Sequence, residues 1–136
     1  MIVLSNTNAQ VLAAGQSVVF DLTLLHTGCA ECHRINSGST FLTQNNAIYE
    51  ISFNCNIGAT AAGSPAQVAL TLDGSPLQET TAIVPTAAAG DLTNAAAGTF
   101  VKTCCCGGNN CVLLTNTGTE EINFAANSKL SIKRIA

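Results

Sequence analysis

An antiparallel β-sandwich is the fold that this 136-residue sequence predicts, and three observations predict it. Apolar and polar residues alternate with a period of two in several segments. An Asp-Gly pair separates two such segments. Gly, Asn and Ser turns recur at short intervals, and no segment carries the apolar stripe of an amphipathic helix.

The elements follow in order. Val18, Phe20, Leu22 and Leu24 alternate with Val19, Asp21, Thr23 and Leu25, which predicts a strand over residues 18–25. The clearest strand covers residues 47–57, with Tyr49, Ile51, Phe53, Cys55 and Ile57 on one face and Glu50, Ser52, Asn54 and Asn56 on the other. Val68, Leu70 and Leu72 run into Asp73-Gly74, two residues that tolerate the positive φ of a primed hairpin turn. A return strand is expected over residues 77–84, ended by Pro85. The alanine-rich stretch 86–98 is broken by Gly90 and Gly98, so a loop and a small-residue strand are expected, with a short helix as the alternative. Further strands are predicted at 99–102, 112–115, 121–124 and 129–135, with turns at 116–118 and 127–128. Eight to ten short strands with apolar faces supplied from end to end indicate two packed sheets, most simply a jelly roll formed by residues 1–136 as one domain.

Composition narrows the function. Charged residues make up 10% of the chain, against roughly 25% in an ordinary soluble domain. The surface is therefore mostly Asn, Thr, Ser, Gly and Ala, which is easily desolvated and favours packing between subunits. The net charge of -3 and the scattered bases Arg34, Lys102, Lys129, Lys133 and Arg134 argue against nucleic acid. No run of about 18 apolar residues suggests membrane insertion. Met1-Ile2-Val3-Leu4 is followed at once by Ser5-Asn6, so no secretory signal is recognisable.

Seven cysteines need an explanation. Cys55 on an apolar strand face reads as a small buried hydrophobe. The other six form two sets, Cys29 and Cys32 in Cys29-Ala30-Glu31-Cys32-His33, and Cys104, Cys105, Cys106 and Cys111. Disulfide bonding within or between subunits is the leading chemistry, because these six can pair completely. It implies an oxidising final location. The alternative is zinc, for which Cys29, Cys32, His33, Cys106 and Cys111 are the candidate ligands, or a thiol redox pair at Cys29 and Cys32. Cys29-x-x-Cys32-His33 also matches a c-type haem attachment pattern, without helices to pack a haem. A Cys-His dyad of Cys32 or Cys104 with His33 is the most concrete catalytic arrangement. No phosphate loop, nucleophile elbow, zinc-protease or EF-hand motif occurs, so no enzyme activity, catalytic residue or bound cofactor is expected.

The segments Ile48-Tyr49-Glu50-Ile51-Ser52-Phe53, Val68-Ala69-Leu70-Thr71-Leu72-Asp73-Gly74 and Leu130-Ser131-Ile132-Lys133-Arg134-Ile135 resemble the C-terminal domain of the collagen-like spore-surface (exosporium) glycoproteins of Bacillus. That family belongs to the C1q and tumour-necrosis-factor-like jelly rolls. Gly28-Cys29-Ala30-Glu31-Cys32-His33-Arg34 with Ser37-Gly38-Ser39 is similar to a cysteine-rich subgroup of Firmicutes and their prophages. The resemblance implies a ten-stranded antiparallel jelly-roll sandwich and a homotrimer. It also implies a structural or display role on a spore, fibre or virion surface, with adhesion to a glycan or protein receptor. The chain departs from that family in lacking a Gly-X-Y stalk and in its extra cysteines. Tyr49, Phe53 and the apolar residues of 119–124 are the residues expected near a threefold axis.

Overall fold

The computed structural model describes residues 1–34, 38–104 and 110–136. In chain order the strands are β1 (Ile2–Ser5), β2 (Gln10–Leu12), β3 (Leu22–His26), β4 (Glu31–Arg34), β5 (Ser39–Leu42), β6 (Ile48–Ala59) and β7 (Ala66–Leu72). They continue with β8 (Ser75–Pro76), β9 (Ala82–Val84), β10 (Thr93–Lys102), β11 (Asn110–Thr115), β12 (Ile122–Phe124) and β13 (Lys129–Arg134). The helical content of the described residues is one 3₁₀ turn, Gln78–Thr80. No helix among them is long and apolar enough to cross a membrane.

β6 organises the first sheet. One of its edges pairs with β10 from Ile48 to Ile57. The other is shared, β13 taking Tyr49 to Asn54 and β12 taking Ile57 to Ala59. β1 joins β13, β3 joins β1, and β2 joins β12. The second sheet runs β4-β5-β11-β7, with β8 and β9 both on the far edge of β7. All pairings are antiparallel. Setting aside the short β2, β8 and β12 leaves five strands per sheet, ten in all, within the eight to ten that the pattern predicts and equal to the ten that the family resemblance implies.

The core follows from the alternation. Tyr49, Ile51, Phe53, Cys55 and Ile57 of β6 are buried, while Glu50, Asn54 and Asn56 are exposed. Ile2, Leu4, Leu130 and Ile132 extend that layer, and Val68, Leu70, Val112 and Leu114 face it from the second sheet. Each such side chain contributes roughly 1.5–3 kcal/mol on burial. Tyr49 and Phe53 therefore fill the sandwich interior, as do Ile122 and Phe124. This corrects the expectation that they lie at a threefold axis: alternation identifies the buried face without saying what buries it.

Two other elements differ from expectation. The predicted strand 18–25 is split between the sheets. Ser17 bridges Thr115 and Val18 N donates to Leu114 O of the second sheet, whereas β3 lies on the edge of the first. The return strand 77–84 is interrupted by the 3₁₀ turn. There the buried Thr80 Oγ1 accepts the Leu70 N–H at 2.9 Å, so a side chain replaces a ladder bond. The Asp73-Gly74 turn is as expected, with φ of 51° and 86°.

Candidate functional site

Two surfaces stand out, one on each sheet. The outer face of the first sheet is a shallow trough of small side chains. Register places Val3, Ser131, Ser52 and Gly98 in one row across four strands. No side chain in that row is larger than valine. The next row is Ser5, Lys129, Asn54 and Ala96, and on the other side Lys133, Glu50 and Phe100 align. The trough encloses about 520 Å³, lined by Val3, Ser52, Asn54, Ala96, Lys129 and Ser131. Phe100 rises at its border and is 65% exposed.

A polar hollow of about 160 Å³ adjoins the trough, lined by Asn54, Asn56, Asn127, Ser128 and Lys129. Asn94 Nδ2 donates to Asn54 Oδ1 at 2.6 Å and to Asn56 Oδ1 at 3.4 Å. That sharing turns the amide N–H groups of Asn54 and Asn56 away from β10 and fixes both side chains.

The second surface is a rim that gathers cysteines from two distant stretches of chain. The β5–β6 turn is the hub. Thr43 Oγ1 donates to Cys29 O at 2.8 Å, and Asn46 N donates to Cys104 O at 3.3 Å. Tyr49 Oη donates to Ala30 O at 2.7 Å and accepts the Gln44 N–H at 3.2 Å. Burial pushes the Tyr49 phenol above its ordinary value, since no phenolate is solvated there. Cys29, Cys32 and Cys104 are exposed and Cys111 is half-buried. Cys105 and Cys106 lie outside the described residues.

Cys32 and Cys111 both stand opposite Phe41, on either side of β5. Asp73 extends the row, its Oδ1 accepting the Cys111 N–H at 2.8 Å. The structure does not bring His33 to these thiols. It follows Cys32 in a strand, so the two side chains leave opposite faces. His33 Nε2 lies 2.8 Å from Phe20 O and therefore donates to it, and Nδ1 lies 2.9 Å from Thr40 Oγ1. Both ring nitrogens are engaged in holding the 17–20 segment against the second sheet. A zinc set or a Cys-His dyad using His33 would have to give up these bonds. Among the described residues no three His, Cys, Asp or Glu side chains converge as a metal requires.

Cys55 is buried, with Sγ 3.5 Å from Ala95 O, and burial pushes its thiol up to about 12. It is a packing residue. Sequence reasoning missed Glu31, whose inward carboxylate has no hydrogen bond. Its Oε2 lies 3.2 Å from the Met1 ammonium, outside hydrogen-bond geometry but within ion-pair range. The only signal in the sequence was its place one residue out of phase with Cys32.

No protein-family model and no curated protein sequence matches the chain. Solved structures do match. The globular domain of zebrafish complement 1qA protein aligns over 99% of this chain and 96% of that one, with a TM-score of 0.70 at 11% identity. The fold is a C1q-like jelly roll. PRD1 vertex protein P5 aligns over 97% of both chains at TM-score 0.48 and 16% identity. The EclA C-terminal domain, described as a sugar-binding protein, aligns over 95% of this chain and 79% of that one at TM-score 0.42 and 17% identity.

Proposed function

We propose that the chain is a non-enzymatic structural and display domain that assembles as a homotrimer through the trough of the first sheet. The trough is the observation that carries this reading. Its small side chains let the backbone of a second copy approach closely. Its central row of Val3, Ser131, Ser52 and Gly98 carries no charge, which keeps desolvation cheap there, and Phe100 on the β10 edge supplies an apolar anchor for the neighbouring trough. Such an edge-to-face contact joins two different surfaces, so three copies related by rotation close a ring. A stable contact of this kind buries upwards of about 1,000 Å² in total.

The rim cysteines reinforce the assembly through disulfides, in keeping with an extracellular, spore or virion surface. The carboxamide-lined hollow beside the trough supports the adhesive part of the reading. Fixed amide donors and one lysine suit hydroxyl and carboxylate acceptors, as on a surface glycan or a receptor side chain.

Ser52→Arg tests the proposal, because it places a charge in the central row while pointing into solvent in the isolated chain. Light scattering is expected to give three times 13.9 kDa for the wild type and a single-chain mass for the folded variant. An S52R protein that keeps the wild-type mass would overturn the assignment of the interface.

A further inference from the structure

The polar hollow beside the trough has the donors of an anion site and no group that repels an anion. Asn54, Asn56, Asn127, Ser128 and Lys129 line it, and no carboxylate does. Lys129 stands directly opposite Asn54, across the β6–β13 pairing. Glu50, on the same face of β6, stands opposite Lys133 instead. Among the described residues the one ion pair joins Met1 to Glu31. Lys129 is therefore without a carboxylate partner, although the chain as a whole carries a net charge of -3.

Both walls of the hollow are held from behind. On β6, Asn94 occupies the carboxamide oxygens of Asn54 and Asn56, so these two residues have their N–H groups left to offer. The facing wall is the 125–128 turn, which the fully buried Asn6 secures. Asn6 Nδ2 donates to Ala125 O at 3.0 Å, its Oδ1 accepts the Ser128 N–H at 3.0 Å, and its backbone O accepts the Asn127 N–H at 2.8 Å. Asn127 is thereby kept in the left-handed region at φ 64°. Its carboxamide makes no hydrogen bond among the described residues. Ser128 Oγ donates to Ala125 O at 3.0 Å, which leaves its lone pairs free to accept.

We propose that the hollow binds one hexuronic acid residue at the end of an acidic glycan. The Lys129 ammonium and the Asn54 N–H groups take the carboxylate. The Asn56 N–H groups and the Asn127 carboxamide take ring hydroxyls, Asn127 both donating and accepting as a hydroxyl does. Size limits the ligand to a single ring. The hollow of about 160 Å³ is smaller than the roughly 300–1,000 Å³ of pockets that enclose a drug-sized molecule. A bare Asp or Glu side chain would engage the ammonium and one amide and leave the other carboxamides idle, which favours the sugar over an acidic peptide. No aromatic ring lines the hollow, so a single site binds weakly and through charge. The inference rests on the display reading for its strength, since three hollows in one trimer can engage a repeating glycan together.

The test titrates the isotope-labelled full chain with the methyl glycosides of glucuronic and galacturonic acid, at low ionic strength where the charge is least screened. Side-chain amide resonances report the binding, and methyl glucoside and N-acetylglutamate amide are the controls. Saturable shifts are expected at Asn54, Asn56 and Asn127 with at least one uronide, and binding at least about tenfold weaker for both controls. K129Q, which keeps donors and loses the charge, should bring the uronide down to the level of the glucoside. N127G, which keeps the turn and loses the carboxamide, should weaken the uronide about threefold or more; thermal unfolding checks that both variants fold. Absence of uronide shifts, equal binding of either control, or a folded K129Q protein that binds like the wild type would overturn the proposal. Uronide binding by a chain of single-chain mass in light scattering would support this site and sink the trimer reading. A trimer that binds no uronide would do the reverse.

Discussion

Replacing Tyr49 by Phe removes a single oxygen from the packed interior and should unfasten the turn on which the cysteine rim is built. The ring is fully buried, and Phe preserves its volume, so no cavity opens. What is lost is the 2.7 Å bond to Ala30 O and the acceptor for Gln44 N–H at 3.2 Å. Ala30 O keeps the Thr43 N–H at 2.9 Å, whereas Gln44 N–H is left without an acceptor. One lost bond plus one stranded donor is worth about 2 kcal/mol. For a domain of this size that lowers the melting temperature by roughly 5–10 °C. A pH signature accompanies it. The folded phenol is raised above 10.0, mainly by burial, so the unfolded chain ionises first. The stabilisation is whole below pH 10.0 and is lost as pH rises through the folded value. The gap between wild type and Y49F should therefore narrow above pH 10. Tyr49 is the sole tyrosine and there is no tryptophan, so near-ultraviolet phenolate absorbance reads this residue alone. A folded protein whose phenol titrates at its ordinary value, or a stability loss under about 0.5 kcal/mol, would refute the reasoning.

Three further outcomes are expected. Gly58→Ala should destabilise by about 2 kcal/mol or more in urea titration, since the new Cβ would lie 1.8 Å from the Asp91 carbonyl oxygen, a backbone atom that cannot rotate away. Gly98→Ala, with its nearest contacts at 3.2 Å, should cost less. A thiol reagent should modify Cys32 in the folded protein and reach Cys55 only on unfolding, because the Cys55 thiolate is suppressed by burial; equal rates in the folded protein would contradict its packing role. Asp21, held below its ordinary 3.8 by two hydrogen bonds from Thr7, contributes stability above that value that is lost as pH falls through the lowered one. Asp21→Asn should accordingly weaken the acid-induced part of unfolding, and an unchanged acid limb would exclude that contribution.

The fold was legible because β6 states it. Five apolar residues at period two define an inner face, and Asp73-Gly74 fixes a turn. The small-residue strand and loop of 86–98 were also legible, since two glycines interrupt the alanine run and no amphipathic stripe supports a helix. The interior role of Tyr49 and Phe53 was not legible, because a buried face looks the same whether its own second sheet or another copy covers it. The strand expected over 18–25 failed for a related reason. Val18 and Phe20 are buried by the second sheet while Leu22, Leu24 and Leu25 are exposed on the edge of the first, and one alternating pattern spans both. The trough could not be read from any one strand, since Val3, Ser52, Gly98 and Ser131 become a row only through register. The engagement of His33 with Phe20 and Thr40 was equally hidden, because both partners depend on how the chain crosses between sheets.

The mass of the reduced wild-type chain in solution decides whether the trough holds three copies together. Reduction removes any contribution from disulfides, leaving the trough contact to hold the copies together. A trimer held by the trough gives three times 13.9 kDa by light scattering at micromolar concentration; a clean single-chain mass would exclude it.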